Sequence, residues 1–66
     1  MESRMQYYVK KKLTPHSAWG YDSFWKTRED AIKRARELVG LNYRVLLTTL
    51  YPDGRGEYEI VNQNNG

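Results

Sequence analysis

Thr27-Arg28-Glu29-Asp30-Ala31-Ile32-Lys33-Arg34-Ala35-Arg36-Glu37-Leu38-Val39-Gly40-Leu41 is the stretch on which the fold turns. It opens with a hydroxyl residue followed three positions later by a carboxylate. Such a step predicts a helix start, because the Thr27 side chain can accept an orphan backbone N–H and the helix dipole favours Glu29 and Asp30 in the first turn. From Arg28 to Val39 the apolar residues Ala31, Ile32, Ala35, Leu38 and Val39 fall within an arc of about 120°, one buried stripe. Gly40 is expected to take the left-handed position after the last turn, with Leu41 folding back as its hydrophobic contact. The same segment holds four bases and three acids. Glu29 precedes Lys33, and Asp30 precedes Arg34, at the spacing that favours intrahelical pairs, so most of this charge is expected to be answered locally.

Working outward, Met5 to Leu13 reads as a strand rich in residues that fit a pleated, half-buried surface, closed by Thr14-Pro15-His16-Ser17. Period two turns Tyr7, Val9, Lys11 and Leu13 inward and Tyr8, Lys10 and Lys12 outward; an inward Lys11 points to an edge strand or to a position past the rim of the core. Ala18 to Trp25 alternates Trp19, Tyr21, Ser23 and Trp25 against Gly20, Asp22 and Phe24, and reads as the second strand of a hairpin, with an ordered loop as the alternative because Gly20 and Asp22 are poor strand residues. Beyond the helix, Tyr43 to Tyr51 is a strand. Pro52-Asp53-Gly54 is turn chemistry, and Glu57 to Val61 alternates polar and apolar residues as the return strand. The order is β-β-α-β-β: an α+β domain with one helix across one face of a small antiparallel sheet. Its expected core is Tyr7, Val9, Ile32, Ala35, Leu38, Val39, Val45, Leu47, Tyr58 and Ile60.

Length bounds the rest. At 66 residues the chain allows one domain, assigned to 1–61, with the polar run 62–66 expected to be disordered. A chain this short buries only about 60% of the surface its unfolded form exposes, too little for a core and a deep substrate pocket together, so no enzyme is expected. The absence of cysteine removes disulfides, thiolate nucleophiles and Cys-type zinc sites. His16 is the single histidine and has no ligating neighbour in sequence, so neither a metal nor a cofactor is expected. Apolar runs stay as short as Val45-Leu46-Leu47, and Met1 to Met5 lacks an apolar leader region; the reading is a cytoplasmic protein without membrane segments.

Two constellations bear on function. Lys10-Lys11-Lys12, supported by Arg44, is the main charge feature and suits phosphate neutralisation; alternatively it is a solvated strand end that resists edge pairing, covered by Glu57 and Glu59. The bases concentrate in residues 1–50, which hold ten against five acids, whereas residues 51–66 hold one against three. The second constellation is aromatic. Trp19, Tyr21, Phe24 and Trp25, which follow the basic strand, suit base stacking or partner anchoring if exposed, and core filling if not.

The first hairpin, the Thr27-Arg28-Glu29-Asp30-Ala31-Ile32-Lys33-Arg34-Ala35 step and the Tyr43 strand resemble a pattern seen in small phage-encoded modulator proteins, over most of residues 6–61. That resemblance implies a non-enzymatic protein binding host machinery, such as RNA polymerase or a nucleic-acid-processing complex, through a charged face. The chain departs from acidic members of that group in being basic, with a net charge of +3. The leading expectation is therefore a binding protein for nucleic acid or a nucleic-acid-containing complex, using Tyr8, Lys10, Lys11, Lys12, Trp19, Tyr21, Trp25 and Arg44. The rival is a protein-interaction module, or a homodimer, using the open sheet face or an edge strand.

Overall fold

The computed structural model describes residues 4–61 and contains β1 (Gln6–Lys12), β2 (Gly20–Trp25), α1 (Arg28–Gly40), β3 (Arg44–Leu50) and β4 (Gly56–Val61). This is the expected α+β order. The polar segment 62–66 lies outside the described residues. All strands are antiparallel in one sheet, ordered β2-β1-β3-β4. No helix among the described residues is long and apolar enough to cross a membrane.

The helix begins where its capping signal lies. Thr27 is extended (φ −123°) and its hydroxyl accepts the Asp30 N–H at 3.2 Å. Its end differs from expectation. Gly40 remains helical, Leu41 is the cap and is exposed, and Asn42 takes the left-handed conformation (φ 72°). Asn42 N–H donates to Val39 O at 2.9 Å and Tyr43 N–H donates to Leu38 O at 3.1 Å, the paired bonds of a Schellman motif. Asn tolerates this backbone through its short polar side chain, and Tyr43 then packs on the core as the hydrophobic partner.

Val9, Val45 and Leu47 from the sheet meet Ala31, Ala35, Leu38 and Val39 from α1 to form the core. The two alanines on the contact stripe let the helix lie close over β1 and β3, its main neighbours. Tyr7, Trp25, Ile32, Tyr43 and Val61 pack around this centre. Leu13, expected to point inward, is exposed beyond the end of β1.

Three expectations about strand placement are corrected. First, β1 is central, not an edge. Second, β3 separates it from β4, so Glu57 and Glu59 do not cover Lys10 to Lys12. Third, Tyr58 and Ile60 are not core. The register pairs Leu50 with Gly56, Thr48 with Tyr58 and Leu46 with Ile60, which puts these side chains opposite the helix. The turn enforces that register: Gly54 (φ 95°) donates its N–H to Tyr51 O at 3.0 Å, and Tyr51 N–H donates to Arg55 O at 2.8 Å. Glu57, Glu59 and Val61 consequently take the helix side. Arg28 reaches Glu59 at 2.9 and 3.2 Å, and the Tyr51 hydroxyl donates to Glu57 at 2.5 Å, which raises the Tyr51 pKa above the usual phenol value. These carboxylates lie at the helix border, where water still reaches them.

Candidate functional site

A bulge in the first hairpin sets the geometry of the site. Val9 pairs with Ser23 and Lys10 pairs with Tyr21, so Asp22 is an extra residue in β2. The extra residue returns both neighbours to useful sides. Tyr21 joins Tyr8 and Phe24 on the face away from the helix, with ring centroids 6.5 and 5.2 Å from Tyr8. Asp22 turns to the helix side, where its side chain is only 5% exposed.

There Arg34 donates to both carboxylate oxygens, at 2.9 and 3.1 Å, while Ser23 donates at 2.9 Å and Lys11 Nζ approaches to 3.1 Å. The Arg34 hydrogen bonds, followed by those of Ser23 and Lys11, hold the Asp22 carboxyl far below the usual carboxylate range despite its burial. A depressed pKa contributes stability above the unfolded value of about 3.9, and that contribution fades as pH falls below it. Asp22→Asn is therefore expected to lower stability at neutral pH by about 2 kcal/mol, since two of the partners remain partly solvated. The gap between the two proteins in urea midpoint should narrow below about pH 4; a gap constant with pH would overturn this account.

The bond network also reassigns two candidate residues. Lys11 faces the helix side, committed to Asp22 and lying 4.9 Å over the Tyr43 ring. Trp25 packs against the core and donates its indole N–H to Ser23 Oγ at 2.7 Å. Neither belongs to the outer surface. The helix pairs also differ from expectation, since Arg34 binds Asp22 and Glu37 and Arg28 binds Glu59.

The face opposite the helix collects the remaining candidates. Tyr21 and Phe24 come from β2, Tyr8, Lys10 and Lys12 from β1, Arg44 and Leu46 from β3, and Tyr58 and Ile60 from β4. Four of these are large apolar or aromatic side chains left in solvent: Tyr58 is 69% exposed, Tyr21 64%, Ile60 54% and Phe24 39%. Lys10 and Arg44 form no ion pair among the described residues. Lys12 Nζ lies 4.5 Å over the Trp19 ring and donates to Pro15 O at 3.3 Å. In the centre, flanked by Tyr8 and Tyr58, Thr48 has a buried hydroxyl with no hydrogen-bond partner among the described residues.

No strand carboxylate shares this face among the described residues. Asp22, Glu57 and Glu59 all point to the helix side, and Asp53 is tied to Arg55 in the turn. The result is a sheet surface of rings and cations without acids. Phe24 was an aromatic candidate of undecided facing, Leu46 had no signal, and Tyr58 and Ile60, expected in the core, stand on this face instead. At the end of the sheet where β3 begins, a groove of about 700 Å³ continues from the face past Trp19, Lys12 and Arg44. No cluster of metal-ligating side chains occurs among the described residues.

Fold and surface together define a one-helix, four-stranded antiparallel α+β protein with an uncovered sheet face. Comparison with known family models, curated proteins and solved structures finds no match for the chain.

Proposed function

We propose that this chain is a non-enzymatic binding protein for single-stranded nucleic acid, and that the uncovered sheet face is its platform. The observation that carries the reading is the segregation of charge: Lys10, Lys12 and Arg44 share a face with Tyr8, Tyr21, Phe24 and Tyr58, and every strand carboxylate takes the other side. Exposed rings stack on any unpaired base, and cations beside them neutralise the backbone, the physical arrangement of sheet-based single-strand binders. Duplex DNA fits poorly. Four strands span about 14 Å between the outer axes, wider than the roughly 12 Å major groove, and paired bases offer no free ring face.

Titration of tyrosine and tryptophan emission with an oligothymidylate tests the proposal. Three phosphate contacts predict that log K falls with log salt at a slope of about −2 for a single strand. A blunt duplex should bind more weakly at every salt concentration. No measurable binding at low salt, or equal binding to the duplex, would sink the reading.

A second reading rests on β4, whose Tyr58 and Ile60 give the face an apolar flank suited to a protein partner or a second copy. Charge argues against the second copy, because face-to-face packing brings six cations together with no acid of the described residues between them. A mass of two chains at low concentration, insensitive to nuclease, would favour this reading instead.

A further inference from the structure

The groove at the end of the sheet has a composition that the platform alone does not require. It wraps from the open face to the helix side: Lys12 and Arg44 stand at its outer rim, while Val39, Tyr43 and Val45 form its floor. Trp19 completes the wall, with Lys12 Nζ 4.5 Å above its ring. The volume of about 700 Å³ falls within the range of small-molecule sites. Among the described residues no carboxylate lines the groove. The nearby helix C-terminus, which would repel an anion through its free carbonyls, has Leu38 O and Val39 O already engaged by the N–H groups of Leu41, Asn42 and Tyr43.

We infer that this groove seats one phosphorylated nucleoside, its base against Trp19 and its phosphate between Lys12 and Arg44. The Asn42 side chain lies at the same wall and offers both an amide donor and an acceptor to a base edge. Lys12 is placed to exchange its bond to the Pro15 carbonyl for the phosphate, and Arg44 has no competing ion pair among the described residues. The inference deepens the platform reading, because Lys12 and Arg44 belong to both surfaces. A strand lying across the rings would therefore end in the groove. The chemistry has two sources, the phosphorylated end of a strand and a free mononucleotide.

The experiment compares a linear oligothymidylate phosphorylated at its ends, its circularised form of the same length, and thymidine monophosphate, with thymidine as control. The linear strand is expected to bind about tenfold tighter than the circle, and Trp19→Leu should abolish that preference while leaving binding of the circle in place. Thymidine monophosphate, but not thymidine, should change the tryptophan emission of the unmodified protein, and Trp19→Leu should remove the response. Equal affinity for circle and linear strand, without a mononucleotide response, overturns the groove while the platform reading stands. A mononucleotide response without binding of any strand supports the groove with a free nucleotide as its ligand and ends the platform reading. Binding of none of these probes overturns both.

Discussion

Leu47→Ala is expected to leave the protein at the margin of folding at 25 °C. Leu47 is fully buried in β3, between Val9 on one neighbouring strand and Glu59 on the other, and under the helix stripe. Truncating a core leucine costs about 3 to 5 kcal/mol once the cavity is counted. A chain of this length commands only roughly 3 to 10 kcal/mol in total. Thermal unfolding followed by circular dichroism should therefore show a midpoint lowered by at least about 12 °C. Ile60→Ala is the matched comparison, since the register of β4 places Ile60 outside the core. Its loss should be below about 1 kcal/mol. Equal losses at the two positions would mean that the register of β4 is wrong by one residue, which would also dissolve the proposed platform.

Changing Lys10, Lys12 and Arg44 together to Gln is expected to reduce affinity for an oligothymidylate roughly a hundredfold at low salt and to flatten the salt slope by about 2. The control replaces Arg28, Lys33 and Arg36 of α1 with Gln. Either set takes the net charge from +3 to 0, because three cations are removed. General attraction to a polyanion would respond equally to both. A surface that holds the strand responds to the first set alone, since α1 lies across the other side of the sheet. The Arg28 bond to Glu59 is solvent-exposed and contributes little to stability, so the control protein should fold normally. Equal losses from the two sets would reduce the binding to nonspecific electrostatics and remove the face from consideration.

The parts of this fold that were legible in the sequence are those decided within a few residues. Thr27 and Asp30 meet across one turn, and Pro52-Asp53-Gly54 folds on itself, so both signals survive without knowledge of the rest of the chain. The helix stop was legible in place but not in residue, because Gly40 and Asn42 both suit the left-handed conformation and only packing of Tyr43 distinguishes them. Strand facing was less accessible. The alternation Glu57-Tyr58-Glu59-Ile60 is compatible with either set pointing inward, and the choice depends on how far α1 extends over an edge strand. Likewise Lys11 acquired its meaning from Asp22 and Arg34, which lie on two other elements.

For the candidate site, Tyr8, Lys10, Lys12, Tyr21 and Arg44 were brought together on one face, with Trp19 at its end. Lys11 and Trp25 were taken away from it. Simple period two fails at Asp22, because one added residue in β2 changes the side taken by everything on one flank. Composition contains no trace of such a shift. Phe24, whose facing period two left open, and Tyr58, which alternation assigned to the core, were placed only by the registers of β2 and β4.

The bulge at Asp22 has one more consequence, for polymerisation. A sheet whose two edges are both regular can add further copies at either end and grow without limit. Here the β2 edge is interrupted by the extra residue, and its twisted backbone no longer offers an unbroken row of donors and acceptors. Only the β4 edge is regular, with Glu57 and Glu59 as its charged guard. Pairing through two β4 edges would consume both and leave a β2 edge at each end. Open-ended growth by strand addition would then have to pass through the bulged edge, which a single extra residue makes the poorer template.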